Sequence, residues 1–290
     1  MIGTWLINLI MTLFFWQTNL PVIINSDVQI ISRKPNISRL ELMAEKGAVL
    51  AVQDRSFLFC KNADEPQPIA SITKLMTALV FLDNNPGWEE IYQISATDQI
   101  SGGRLNLFPG DQVKVKDLFY TSLIASDNGA TQALVQASKL NEEEFVQKMN
   151  DQAKSLGLTN TNFVDPIGLS DDNVSTAREV ALLAKTALDR TEIRQATEKQ
   201  VYEFSTLNGR VKKIESTDYL LFDSEQNSFQ VLGGKTGYTD QAGYCFVGLF
   251  KDPSGREVIS VVLNSAGKNE RFRESKSLVN WVFNSYIWTR

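Results

Sequence analysis

Strand-forming runs stand at both ends of this chain, and helical periodicity fills what lies between them. Gly47 to Asp54 and Ser56 to Lys61 read as two strands joined at Asp54-Arg55. Phe229 to Lys235, Gly243 to Phe250 and Glu257 to Asn264 are short β-branched or aromatic runs, separated by turns such as Asp252-Pro253-Ser254-Gly255. Ala70 to Leu82, Lys116 to Ala125, Gly129 to Ser138 and Val180 to Leu188 carry helical spacing. Asn141 with Glu144, and Thr176 with Glu179, match the capping-box pattern, and Gly157 is a natural helix stop. Glu270 to Trp288 reads as a closing helix, with Val279, Val282, Phe283 and Tyr286 on a core-facing stripe. The order predicts an α/β chain of the α+β type. One antiparallel sheet is built from both chain ends and flanked by helices, with a mostly helical insertion between. We expect a single catalytic domain over 44–290, with a sheet lobe at 44–75 and 225–290 and a helical lobe at 76–200. The cleft between lobes is the natural place for a site.

The first residues have a different character. Ile2 to Trp16 is nearly continuous apolar sequence, the length of a signal-peptide core and short for a spanning helix. No Lys or Arg precedes it, and no small-x-small cleavage site follows. Residues 1–26 are expected to be an export signal or an uncleaved N-terminal anchor, with a buried helix as the remaining reading. The first two place the rest of the chain outside the cytoplasm, in the periplasm or another extracytoplasmic space. Residues 27–43 read as a linker.

Composition narrows the chemistry. Hydrophobic residues make up 43% and charged residues 22%, enough for a real core. The net charge of −5 gives no basic surface for nucleic acid. The chain holds no histidine, which removes Ser-His-Asp and Cys-His catalysis and every His-ligated metal. Its two cysteines, Cys60 and Cys245, cannot make a four-cysteine zinc or iron–sulfur site. No metal and no cofactor are expected, so proton chemistry must run on Lys, Asp, Glu, Tyr or Ser.

Three short motifs answer the missing histidine. Ser71-Ile72-Thr73-Lys74 opens the first long helix, where Lys74 reaches back to Ser71 and the helix terminus favours an oxyanion. A Lys whose pKa is pushed down there is a general base for the Ser. The alternative is a capping Ser beside a solvated Lys. A second S-x-x-K, Ser265-Ala266-Gly267-Lys268, follows a strand and starts no apolar helix. Ser126-Asp127-Asn128 sits in a break between two helices. There Ser126 can relay a proton and Asn128 can orient a substrate carbonyl, or both can simply cap a helix. Lys235-Thr236-Gly237 ends a strand-like run, where Lys235 and Thr236 can hold an anionic substrate terminus, or mark a solvated strand end.

Together, in this order and setting, the motifs match the set found in penicillin-binding proteins and class A β-lactamases. The chain resembles the serine-type D-alanyl-D-alanine carboxypeptidases, the low-molecular-mass penicillin-binding proteins of β-lactamase/transpeptidase-like fold, from about Met43 to Arg290. The resemblance also rests on Asn62-Ala63-Asp64-Glu65, Pro68-Ile69-Ala70-Ser71, Asn162 to Leu169, Ser175-Thr176-Ala177-Arg178 and Gly233 to Gly243. It implies that Ser71 is acylated by the penultimate D-alanine, that Lys74 takes its proton, and that Ser126 passes one to the departing D-alanine. It further implies that Asn128 orients the peptide, that Lys235 and Thr236, next to Gly237, bind the carboxylate, and that the Ser71 and Tyr238 N–H groups form the oxyanion hole. Peptidoglycan stem peptides are the implied substrates and β-lactams the implied covalent inhibitors. The implied sheet order puts Cys60 and Cys245 about three strand spacings apart, roughly 14 Å, too far for a disulfide.

Departures qualify the match. The family more often has Gly or Ala where Asp127 stands; S-D-N is the β-lactamase form. The short stretch after Gly237 leads us to expect no second β-rich domain and only an N-terminal tether. A class A β-lactamase is disfavoured because no Glu between Asn128 and Lys235 precedes an Asn by four residues. A D,D-endopeptidase that cuts cross-links, and a non-catalytic β-lactam or wall sensor, remain as alternatives to the carboxypeptidase.

Overall fold

Five strands form the central antiparallel sheet, in the order Gln230–Thr239, Gly243–Lys251, Glu257–Ser265, Lys46–Ala51 and Phe57–Lys61. This computed structural model describes residues 31–35, 37, 40–103, 105–223 and 228–288. The reading of residues 1–26 as export signal or anchor lies outside the described residues. Among the described residues no helix is long and apolar enough to cross a membrane.

Helices cover both faces of the sheet, so its central strands are buried throughout, as Lys46–Ala51 is. Successive side chains alternate between the two faces. Ala48, Leu50, Ile259 and Val261 join the core under helices α1 (Lys74–Asp83) and α5 (Ala177–Asp189). Val49, Ala51, Val258 and Val262 join the other core, with Leu278, Val279, Val282 and Phe283 of α7 (Glu270–Ser285). Removing one such buried Leu costs about 2–5 kcal/mol. The insertion holds α2 (Val115–Ile124), α3 (Asn128–Ala137), α4 (Glu142–Ser155) and, after α5, α6 (Thr191–Thr197).

The ends of elements follow local chemistry. The α4 capping box is present: Asn141 accepts from Glu144 N–H at 2.9 Å, and Glu144 accepts from Asn141 N–H at 3.0 Å. At α5 only half of the expected box forms. Thr176 accepts from Glu179 N–H at 3.1 Å, but the buried Glu179 carboxylate turns away to Asn160 N–H and the Thr161 hydroxyl. Orphan donors in that loop win the carboxylate, because a buried N–H without a partner is costly.

Three expectations are corrected. The closing helix stops at Ser285, and Tyr286–Trp288 is a strand paired with Ile31–Arg33, inside the segment read as a linker. The Tyr286 hydroxyl donates to Leu58 O, so Tyr286 leaves the helical stripe. The motif strand does not end at Lys235 but runs to Thr239, because its glycines let the neighbouring backbone close in. A hairpin, Val201–Ser205 with Val211–Glu215, was not foreseen. Both cysteines are free, Cys60 on an edge strand and Cys245 buried on the strand three positions across.

Candidate active site

Ser71 is presented by a strained turn. Ala70 holds φ +48°, left-handed backbone that a non-glycine residue seldom adopts. A 3₁₀ turn over Ala70–Thr73 follows, and the α-helical ladder begins only at Lys74, not at Ser71 as expected. With three residues per turn, Lys74 stands directly over Ser71. The Lys74 ammonium donates to Ser71 Oγ at 3.0 Å, Asn128 Oδ1 at 2.8 Å and Ile167 O at 2.7 Å. Burial pushes its pKa down from 10.5 to about 7, against the opposing pull of the Asp127 and Asp165 carboxylates. A neutral Lys74 keeps two N–H bonds for the two carbonyl oxygens. Its lone pair is then left facing the Ser71 hydroxyl, which is the arrangement a general base needs.

The Ile167 carbonyl is itself a built feature. Asp165 accepts from Ile167 N–H at 2.7 Å and Ser170 N–H at 2.8 Å, and closes the loop upon itself. Asn173, fully buried, accepts from Val164 N–H at 2.7 Å and ties the loop to Thr73 at 3.2 Å. Gly168 holds φ +85°, and a Cβ there would collide with Ala70 O. Hence the Asn162–Leu169 string matters less for its own chemistry than for setting one carbonyl on Lys74.

Ser126 and Asn128 flank the break between α2 and α3. Ser126 holds φ +58°, and its Oγ accepts from Lys235 at 2.7 Å. Asp127 caps α3 by accepting from Ala130 N–H at 2.8 Å. Its other oxygen accepts from Asn106 N–H and Asn106 Nδ2, both at 2.8 Å. Asn128 Nδ2 donates to Gly102 O. The middle motif therefore also anchors the loop that walls one side of the cleft.

The Gln230–Thr239 strand forms the opposite wall. Lys235, buried, donates to Ser126 Oγ and, at 2.8 Å, to Thr236 O. Burial, then Lys74 and Arg271, push its pKa well below the ordinary lysine value, while Asp218 opposes them. Thr236 shares a 2.7 Å hydroxyl hydrogen bond with Thr217. At Gly237 a Cβ would stand 2.8 Å from Ile69 O and 3.3 Å from Ser71 N, so glycine lets this strand lie against Ser71. Tyr238, half exposed, stacks on Tyr244 at 4.3 Å.

The structure thus gathers Ser71, Ser126, Asn128, Thr236, Gly237 and Tyr238 on one cavity of about 630 Å³, with Lys74 and Lys235 behind its lining. Among the described residues no cluster of acidic or sulfur side chains is arranged to hold a metal ion. Two residues escaped the sequence reading. Arg271 lines the cavity and donates to Gly237 O at 3.0 Å. Its only signal was its place on the α7 stripe with Ser275, Leu278 and Val282. Asp218 lies buried behind the Lys235 strand and carried no local signal. The second S-x-x-K is no Ser-Lys pair: the Ser265 hydroxyl donates to Glu274, Lys268 lies 4.8 Å over the Tyr219 ring, and α7 begins just after it.

Residues 34–267 match the family described as D-alanyl-D-alanine carboxypeptidase. The D-alanyl-D-alanine endopeptidase of Pseudomonas aeruginosa is 32% identical, over 83% of this chain and 78% of that protein. The D-alanyl-D-alanine carboxypeptidase DacF of Bacillus subtilis is 33% identical, over 83% of this chain and 62% of that protein. Among solved structures, penicillin-binding protein D2 of Listeria monocytogenes in its cefotaxime-bound form is 35% identical, with a TM-score of 0.73 over 85% of this chain and all of that one.

Proposed function

The chain belongs to the D-alanyl-D-alanine carboxypeptidase family, and from that premise we propose how its cleft works on peptidoglycan stem peptides. It is a serine-type D,D-carboxypeptidase, an acyl-serine hydrolase. Neutral Lys74 takes the proton of Ser71, and Ser71 Oγ attacks the carbonyl carbon of the penultimate D-alanine. The oxyanion is met by the backbone N–H groups of Ser71 and Tyr238. The Lys74 ammonium hands the Ser71 proton to Ser126, which passes its own to the amine as the C–N bond breaks, and the terminal D-alanine leaves. Lys74, neutral again, then draws a proton from water as the water attacks the ester, and returns it to Ser71 Oγ as the Oγ–C bond breaks. Asn128 orients the peptide and holds Lys74. Lys235, Thr236 and the neighbouring Arg271 receive the terminal carboxylate, where fixed cations outperform any neutral donor. The single observation that carries this reading is the buried Lys74, hydrogen-bonded to Ser71, Asn128 Oδ1 and Ile167 O at once.

The same residues serve a second reading, a D,D-endopeptidase that cuts cross-links. The Pseudomonas relative of that name favours it, since this chain covers 78% of that protein's length. Tyr219, Tyr244 and Lys268 also line the cavity, whose volume is about 630 Å³. β-Lactams acylate Ser71 in this account, and the enzyme works outside the cytoplasm, where stem peptides are found.

The test supplies pentapeptide monomers and cross-linked dimers together and reads the products by mass spectrometry, beside Ser71→Ala. Loss of one alanine from the monomer, absent with Ser71→Ala, is the expected result. Dimers converted to monomers instead establish the endopeptidase. No change in either substrate overturns both readings.

A further inference from the structure

The hairpin of Val201–Ser205 with Val211–Glu215 takes no step of the proposed reaction, yet it turns a lysine inward. Val211, Lys213 and Glu215 are exposed, while Lys212 shares the inner face with the buried Ile214. The Lys212 side chain is only 10% exposed, and an inward cation needs partners. Its ammonium pairs with the fully buried Asp111 carboxylate at 2.8 Å, donates to Asn106 O at 2.9 Å and lies 4.8 Å over the Phe108 ring. Charge balance alone does not account for it, because Arg210 already donates to the other Asp111 oxygen at 2.8 Å. What Lys212 adds is the bond to Asn106. That residue is gripped from two sides: Lys212 holds its carbonyl, and its N–H and Nδ2 both donate to Asp127 Oδ2 at 2.8 Å. Asp127 stands between Ser126 and Asn128 and caps α3 with its other oxygen. The base of the same hairpin reaches the opposite wall of the cleft. Thr217 N–H donates to Ile124 O at 3.0 Å, and the Thr217 hydroxyl bonds that of Thr236 at 2.7 Å.

We propose that Lys212 is a positioning residue: by fixing Asn106 against Asp127 it sets the Ser126–Asn128 turn in register with Ser71, Lys74 and Lys235. The turn needs such support. Ser126 holds left-handed backbone at φ +58°, a conformation kept only where the surroundings enforce it. Its hydroxyl accepts from Lys235, and Asn128 Oδ1 accepts from Lys74, so a shift of the turn moves both bonds at once. Without Lys212 the Asn106 carbonyl loses its partner, and the Asp127 carboxylate loses a fixed anchor. A displacement of about 1 Å at reacting groups costs rate out of proportion to stability. The effect on turnover rests on the carboxypeptidase reading; the grip on Asn106 does not.

The experiment compares Lys212→Met with Arg210→Met in the full chain. Lys212→Met keeps an unbranched stem over Phe108 and removes both the ion pair and the bond to Asn106. Arg210→Met removes an ion pair to the same carboxylate and leaves Asn106 held. If Lys212→Met does not fold, Lys212→Gln, neutral and shorter, takes its place with the same readouts. Active sites are counted by β-lactam labelling, so that kcat refers to folded chains only, and amide exchange at Asn106 is followed by NMR. In Lys212→Met, kcat on a D-alanyl-D-alanine peptide is expected to fall about tenfold, with KM changed by less than about twofold. Exchange at Asn106 is expected to quicken about tenfold. In Arg210→Met both are expected to stay within about twofold of the parent. Equal losses in the two variants overturn the proposal, since Lys212 is then a counter-charge to Asp111 and nothing more. Unchanged exchange at Asn106, or unchanged kcat, in Lys212→Met overturns it as well. A parent chain that turns over no D-alanyl-D-alanine peptide overturns instead the reading beneath it, while the exchange comparison still decides the grip.

Discussion

Lys235 donates to Ser126 Oγ at 2.7 Å, across 109 residues of sequence, and so joins the sheet to the helical insertion at the middle of the cleft. In the proposed reaction this bond orients the hydroxyl that passes the proton to the leaving amine. Removing Lys235, which receives the terminal carboxylate in the same proposal, should act mainly on substrates with a free carboxylate. For Lys235→Ala we expect kcat/KM on an acid-terminated peptide to fall about 100-fold, with KM carrying most of it. Steady-state kinetics on the acid and its amide check this. An unchanged kcat/KM on the acid removes Lys235 from the site.

Lys74 sets the acidic side of the pH profile. Its pKa lies at about 7, so acylation should fall about tenfold per pH unit below that value as the base becomes protonated. The rate of β-lactam acylation from pH 5 to 9 reads this directly. Stability should respond with a defined sign. A lysine whose folded-state pKa is depressed supports the fold at alkaline pH, and that support is lost as pH falls from the ordinary value of 10.5 through about 7. Lys74→Met should abolish acylation, and its Tm relative to the parent should be more favourable at pH 6 than at pH 10. Full acylation by the variant contradicts the role of Lys74 as base.

Gly237 permits the strand to lie against Ser71. In Gly237→Ala the new Cβ would meet Ile69 O at 2.8 Å, and backbone there cannot yield cheaply. We expect a stability loss of about 1–3 kcal/mol together with slowed acylation. Thermal melts and stopped-flow acylation, run on the same preparation, check both effects.

Asp127 distinguishes this chain's middle motif, and the structure gives it two duties. It caps α3 at Ala130 N–H and clamps Asn106 on the loop beside the cleft. Asp127→Ala should cost about 1–2 kcal/mol and accelerate amide exchange at Ala130 and Asn106. Exchange unchanged at Asn106 would separate the loop from this residue.

The contrast between motif and scaffold explains what was legible. Ser71 with Lys74, Ser126 with Asn128 and Lys235 to Gly237 are local strings, and each carries its spacing in the sequence. The β-branched runs of the central sheet were readable for the same reason. What escaped depends on partners far along the chain. Tyr286–Trp288 becomes a strand only because Ile31–Arg33 lies beside it, and no local pattern specifies that pairing. Arg271 looked like one more charged residue on a surface helix until the packing of α7 turned its face toward Gly237. Glu179 fitted a capping box, yet Asn160 and Thr161 claimed its carboxylate from outside the helix. Val201–Ser205 alternates in burial, but too many charges surround it for the pattern to stand out.

The central claim is that Ser71 becomes acylated. It is tested most directly by intact-protein mass spectrometry after exposure to a β-lactam, followed by mapping of the adduct. We expect one adduct per chain, located on Ser71, and none in Ser71→Ala. An adduct that persists in Ser71→Ala, or maps elsewhere, would contradict the account.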